Sequence, residues 1–299
     1  QGGALGMDWP VTTVLFGSFA AMLAFGFPIA LALGLSSAIS IILFSLAPLE
    51  LFPQLMFGQA DSFTLLSIPF FIFAGIILGH TSISRRLIDL ADALAGDIPG
   101  GLGIAGIVAA VFLAGISGSG PADVAALGLV LIPAMVSAGY ERTFSAALTA
   151  VSGGIGIIIP PSIALIIYGY VAETSIPKLF FAGIIPGILV AVIMSLTVYF
   201  LSKGSGRRAA KRTGQRMSIA RAFRRAFWGL LAPAIILGGI YGGFFTPTES
   251  AAVAVIYSVA VDMLIYRVMG RRELIHAAGE AGITSAVIMS IVLTAGLFA

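Results

Sequence analysis

Cysteine is absent from the 299 residues, so disulfides and thiolate metal sites are excluded. Histidine is almost as scarce: His80 and His276 are the only two, which argues against a multi-histidine metal centre. Charge is thin as well. Asp, Glu, Lys and Arg make up 10% of the chain, whereas a soluble domain carries about 25%. That is too little to clothe a surface facing water. What is present is apolar: 59% of the residues are hydrophobic and the mean hydropathy is +1.09. Lipid must therefore cover much of the surface. The 37 glycines and 14 prolines sit inside apolar runs, and both residues are commoner in membrane helices than in soluble ones.

The positive charge is concentrated. Nine of the sixteen Lys and Arg residues lie between Lys203 and Arg225, with no acid among them. A basic cluster can mark nucleic-acid binding, but this one lies between two apolar spans. It reads as a cytoplasmic loop obeying the positive-inside rule, with anionic lipid headgroups as compatible neighbours and no nucleic-acid partner. Residues 1–6 precede Met7 and read as a fusion junction or cloning scar; no basic n-region points to a cleavable signal peptide.

A spanning helix needs about 20 apolar residues. Residues 11–47 predict two spans, 11–26 and 28–47, split at Gly26-Phe27-Pro28 because proline ends one helix and opens the next. Glu50 and Asp61 mark a polar interval before a span at 62–79. Segment 83–95 is amphipathic, with Ile83, Leu87, Leu90 and Leu94 at helical spacing, and is expected along the membrane interface. Residues 101–137 consist of two short apolar arms, 101–116 and 124–136, around Ser117-Gly118-Ser119-Gly120-Pro121-Ala122-Asp123. Arms of that length suit a re-entrant hairpin. Residues 143–172 hold Ser152-Gly153-Gly154-Ile155-Gly156 and Pro160-Pro161-Ser162, which cannot remain one regular helix; a broken span is expected.

Further spans follow at 178–201, 227–245 and 249–266, and the last apolar run, 281–299, is expected to be cut short. With 202–226 in the cytoplasm, the hairpin enters from the cytoplasmic side, and Arg85, Arg86, Arg267, Arg271 and Arg272 all fall inside. The ends of the chain also echo each other. Gly26-Phe27-Pro28 and its Ala-rich helix parallel Phe245-Thr246-Pro247 and the helix after it, while 48–79 parallels 268–299. Under this orientation the second copy is inverted, as in many secondary transporters. Residues 7–201 are then a first repeat, and 227–299 begin a second.

Two breaks carry the chemistry. Non-helical backbone at membrane depth is tolerated only where protein buries it or where it lines a cavity. The Ser117–Gly120 tip supplies free carbonyls and two hydroxyls, hard ligands for a cation. Around Gly156–Pro161, carbonyls lose their helical donors and can face an ion. Tight packing of small residues is the competing account. Asp123 reads either as an ion or proton site or as an acid favoured by the dipole of a first helical turn, with a lean to the latter. Asp262 reads as paired near Arg267 at the membrane surface. Thr246-Pro247-Thr248-Glu249 reads as a capping box. Gly115-Ile116-Ser117-Gly118 matches a short intramembrane serine-protease signature, but both histidines are expected at span ends, far from hairpin depth.

These motifs, in this order, resemble the large membrane subunit of TRAP (tripartite ATP-independent periplasmic) transporters. The resemblance rests on Gly26-Phe27-Pro28-Ile29-Ala30, Ser67-Ile68-Pro69-Phe70-Phe71-Ile72-Phe73-Ala74-Gly75, Ala114-Gly115-Ile116-Ser117-Gly118-Ser119, Ile159-Pro160-Pro161-Ser162 and Phe245-Thr246-Pro247-Thr248-Glu249. It implies an all-α polytopic membrane protein: an elevator-type, ion-driven transporter with inverted repeats, a re-entrant helical hairpin and a broken helix. Implied partners are a small four-helix membrane subunit and a periplasmic substrate-binding protein, in the bacterial inner membrane. The implied cargo is a small organic anion such as a C4-dicarboxylate or sialic acid. Carried over from the family, a Na+ site would use Ser117, Ser119, Gly156, Ile159 and Pro161, the last three through backbone carbonyls. The family's subunits are considerably longer, so a second hairpin and broken helix are missing here. A stand-alone ion-coupled anion transporter is the alternative, and an intramembrane serine protease a remote one.

Overall fold

In a computed structural model, residues 9–48, 50–80, 82–95, 98–204 and 217–298 are described; residues 1–6 and most of the basic loop lie outside them. Those residues form fourteen α-helices and one π-helical turn, with no strand among them. Five helices are long and apolar enough to cross a membrane, or up to seven if each of two bent pairs is one span. The chain is an all-α polytopic membrane protein.

Two compact units are separable. The first comprises residues up to Phe63 together with Ile283 onwards. Here α1 (Trp9–Ala24) ends at Gly26, whose φ of 81° favours glycine, and Pro28 stands immediately before α2 (Ile29–Phe44). This is the expected split, with α1 set two residues earlier than expected at the same length and α2 four residues shorter. α2 buries Ala32, Leu33, Ser36, Ser37 and Ser40 along one stripe. The polar interval differs from expectation, because Leu51–Ala60 forms a helix, α3. Its Phe, Leu and Met residues can cover apolar surface from a helix too short to span. The last stretch of α14 (Arg271–Phe298) belongs to this unit, where Phe298 sits 5.2 Å from Phe16 and 5.3 Å from Phe19 between ring centroids.

The second unit, Thr64–Gly282, is built around α6 (Gly101–Ser117). Fourteen of its seventeen residues are buried, because glycine and alanine let neighbours approach closely on every side. Against it pack α4 (Ser67–His80), α5 (Ser82–Ala95), α7 (Gly120–Ser137), α8 (Arg142–Gly153), α9 (Ile155–Ile158), α11 (Ile176–Gly204) and α12 (Ile219–Tyr241). α10 (Ile163–Val171) packs on α11, and α13 (Pro247–Ala260) runs along α4. The amphipathic segment is helical as expected, yet its apolar stripe is covered by protein. Ile83, Leu87, Leu90 and Ala91 are buried where α5 meets α6 and α12, and Leu94 is exposed.

Helix α12 begins well before the expected start at residue 227, presenting Arg221, Arg224 and Arg225 outward and burying Ala222, Ala226 and Gly229. The capping box forms: Thr246 Oγ1 accepts from the Glu249 N–H at 3.3 Å, and the Thr246 N–H donates to Glu249 at 2.8 Å. α13 runs into a π-helical turn, Val261–Tyr266. Asp262 in that turn is fully buried within the protein.

Candidate functional site

The hairpin tip is tighter than the sequence suggested. α6 continues through Ser117 and α7 starts at Gly120, leaving Gly118 and Ser119 as the only non-helical residues. Gly118 has a φ of 61°, and a Cβ there would lie 2.5 Å from the Pro161 carbonyl oxygen. Both conformation and space therefore demand glycine. Pro121 opens α7, where a missing N–H costs nothing.

The facing span breaks for a reason that can be counted donor by donor. α8 ends at Gly153, α9 is a single turn, and Ile159 is extended before Pro160 and Pro161, whose connecting peptide is cis. In a continuous helix the carbonyl of Gly156 would accept from residue 160 and that of Ile157 from residue 161. Both are prolines without an N–H. The Ser162 hydroxyl takes over at Ile157, donating to its carbonyl at 2.6 Å. The Gly156 carbonyl has no such replacement in its own helix. Ser162 also caps α10, accepting from the Leu165 N–H at 3.4 Å.

Tip and break meet. The Ile163 N–H donates to the Gly118 carbonyl at 3.1 Å, a backbone link between the hairpin and the second half of the broken span. A Cβ on Gly120 would come within 2.7 Å of the Gly153 carbonyl. A Cβ on Gly156 would collide with the Asp123 carboxylate. From α4, Gly75 presses on the tip, with a Cβ there only 2.9 Å from the Ser117 Cα.

Polar side chains fill the junction. The Ser117 hydroxyl donates to Asp123 Oδ1 at 2.6 Å and accepts from the Ser119 N–H at 3.2 Å. Asp123 does sit in the first turn of α7, with its own N–H on the Ser119 carbonyl at 3.0 Å. It is nevertheless only 2% exposed, and its Oδ2 is buried with no hydrogen-bond partner among the described residues. A buried carboxylate oxygen left unpartnered is costly. The helix dipole does not account for it.

Of the five residues carried over from the family, Ser117, Gly156 and Pro161 converge with Asp123 at the junction, as the contacts above place them. Ser119 is half-buried at the tip, with its N–H and carbonyl both engaged. Ile159 is buried, its side chain against Gly187 of α11. Sequence reasoning leaned to a dipole role for Asp123 and gave Gly75, quoted within the Ser67–Gly75 motif, no role of its own. The C-terminal ends of α6 and α9 face the N-terminal ends of α7 and α10 here, so backbone carbonyls and N–H groups meet at the junction. The Ser117 hydroxyl, the Asp123 carboxylate and the carbonyls of Gly156 and Pro161 bring hard oxygen donors to one place. No group of three or more His, Cys, Asp or Glu side chains able to hold a metal occurs among the described residues. Such a donor set suits a monovalent alkali cation better than a transition metal. The hydrogen-bond acceptor for Ser117 is a carboxylate, not an imidazole.

Comparison with known proteins adds a separate line. The family pattern described as "Tripartite ATP-independent periplasmic transporter, DctM component" matches residues 16–299. The chain is 42% identical over 285 residues to the isethionate TRAP transporter permease protein DctMQ of Oleidesulfovibrio alaskensis, covering 95% of this chain and 45% of that one. It is 43% identical over 267 residues to the C4-dicarboxylate TRAP transporter large permease protein DctM of Pseudomonas aeruginosa, covering 89% and 62%. To the 2,3-diketo-L-gulonate TRAP transporter large permease protein YiaN of Escherichia coli it is 41% identical over 283 residues, covering 94% and 66%. The chain thus spans about half to two thirds of the length of these relatives.

Proposed function

Because the chain belongs to the DctM family, the large permease component of tripartite ATP-independent periplasmic transporters, we propose that it is part of a sodium-driven importer of a small organic anion in the bacterial inner membrane. It is a transporter subunit and not an enzyme, as its permease relatives are. The relatives named above act on isethionate, a C4-dicarboxylate and 2,3-diketo-L-gulonate. The substrate class common to them is a small acid, handed over by a periplasmic binding protein, with a small membrane subunit completing the complex.

The observation that carries the sodium reading is the unpartnered Asp123 Oδ2, buried beside Gly156. A cation held there would take Asp123 Oδ2, the Ser117 hydroxyl oxygen and the carbonyls of Gly156 and Pro161, with Ser119 and Ile159 completing the shell. It would supply only charge neutralisation. The protein's part is to hold the hairpin against the broken span in one geometry, so that ion and substrate binding become linked. An elevator movement of the hairpin and broken span past the remaining helices is the proposed transport step.

An inverted repeat is supported by two pairings, each internal to its own unit. In one, α13 follows Thr246-Pro247, buries Ala251, Ala254 and Ser258, and runs along α4. In the other, α2 follows Phe27-Pro28 and buries Ala32, Ser36 and Ser40. A Cβ on its Gly34 would lie 3.3 Å from Thr294 of α14. Ala295-Gly296 of α14 then corresponds to Ala74-Gly75 of α4.

The test is uptake of radiolabelled organic acids into proteoliposomes by the full-length protein with its small subunit and binding protein. Uptake is expected to need both an inward sodium gradient and the binding protein. Asp123→Asn, and Ser117→Ala with Ser119→Ala, are expected to raise the sodium concentration for half-maximal uptake at least tenfold. Unchanged sodium dependence in both variants would overturn the site, and uptake without the binding protein would make the protein a stand-alone carrier.

A further inference from the structure

We infer that the second unit holds a binding site for one phospholipid, its acyl chain lying in a groove between α6 and α11 and its phosphate at Lys203. The groove is open along one side, has a volume of about 420 Å³ and is lined by Ile104, Val108 and Val111 of α6 and by Val192, Leu196 and Tyr199 of α11. These positions repeat at helical spacing, so each helix contributes one continuous wall. Ser195 is the one hydroxyl in the α11 wall besides that of Tyr199, and it is already spent on the Ala191 carbonyl at 2.7 Å. Apart from the Tyr199 hydroxyl, the groove therefore asks its occupant for no hydrogen bond.

Dimensions choose the occupant. The two helices run antiparallel, since a Cβ on Gly100 would lie 2.7 Å from the Ser202 hydroxyl and one on Gly103 would lie 3.0 Å from Val198. From Ile188 to Tyr199 the α11 wall is about 16 Å long at helical rise, half of a hydrocarbon core of about 30 Å. That is the depth of one leaflet. A partner's transmembrane helix, about 10 Å across and spanning the whole core, is too long and too thick for this space. The volume is about that of a single fatty acyl chain.

Charge fixes the other end. Lys203 follows Tyr199 by one turn, its ammonium 6.0 Å from the ring centroid, and it is exposed. It opens the run of nine Lys and Arg residues that ends at Arg225. By the positive-inside rule this is the cytoplasmic end. A phosphodiester of the inner leaflet meets the ammonium there, while Tyr199 occupies the depth that interfacial aromatic residues favour. The lipid would fill the space between α6, which carries the hairpin tip, and the long span beside it.

The experiment places the full-length protein and its small subunit in nanodiscs containing phosphatidylglycerol with a diazirine in its acyl chain. After washing with unlabelled lipid and irradiation, adducts are mapped by mass spectrometry. Adducts are expected on Ile104–Val111 and Val192–Tyr199 and to survive the wash. Those at Ile193, which is about as exposed as Val192 and Leu196 but lies outside the groove lining, should disappear. Val108→Trp, and from the opposite wall Val192→Trp, should each cut the retained adducts several-fold, while Ile193→Trp leaves them unchanged. Lys203→Gln should speed loss during the wash without abolishing labelling. The inference is overturned if groove adducts wash out like those at Ile193, if neither tryptophan reduces them, or if a photoreactive residue at Val108 cross-links to the small subunit or to another part of the permease.

Discussion

Asp123 occupies a first-turn position where an acid is unremarkable, and its surroundings contradict that modest role. An acid serving the dipole alone would face water; this one is buried, shares a proton donor with the hairpin tip and turns its second oxygen to Gly156. The first-turn placement was legible, since Gly120-Pro121 announces a helix start. The direction of the carboxylate was not, because it depends on a glycine 33 residues away in sequence that leaves room for it. Gly156 is therefore a position at which the junction does not tolerate added volume. Gly156→Ala drives a methyl group into the carboxylate and is expected to abolish sodium-induced stabilisation of the full-length protein. Adding Asp123→Ala should restore much of the thermal stability lost without restoring the sodium response, a coupling expected only of residues in contact. A melting series of the two single variants and the double variant, with and without sodium, reads both effects.

At the scale of elements, the chain's breaks were the easiest features to read and its packing partners the hardest. Consecutive prolines remove two amide donors wherever they stand, so the interruption after Ile158 follows from local chemistry. The same holds for the split at Pro28 and the cap at Thr246. The amphipathic pattern of α5 was equally plain, yet it gave no indication that α6 and α12 would cover the apolar stripe. Periodicity names a face, not its neighbour. α3 was missed for a related reason: a ten-residue helix between polar ends is too short to stand out from a loop. The proline account makes its own prediction. Pro160→Ala returns an N–H to the position that would pair with the Gly156 carbonyl. That carbonyl should then be drawn into helix, giving slowed amide exchange at residue 160 and a weaker sodium response in the full-length protein. Rapid exchange at residue 160 with sodium dependence intact would remove the carbonyl from the proposed ligand set.

For the whole molecule, composition alone placed the chain in a membrane, and motif order led to the family to which it belongs. What no composition could give was the meeting of hairpin and broken span, since residues 117–123 and 156–163 become neighbours only when α6 is enclosed by its surrounding helices. If sodium binds this junction in the folded protein alone, mass action fixes the size of the effect. At 100 times the dissociation constant the stabilisation is about 2.7 kcal/mol. Differential scanning fluorimetry of the full-length complex should show the midpoint rising with sodium, with no matching rise in potassium or choline at equal ionic strength. An equal rise in all three salts would indicate general ionic screening, not a sodium site.

The hydrogen bond from the Ile163 N–H to the Gly118 carbonyl bears on leakage. A pore that opened by swinging the hairpin away from its neighbour would have to give up this bond. Moving both segments together keeps it intact. Under the transport step proposed above, the bond acts as a clasp that favours a stroke of the two segments together over one that parts them.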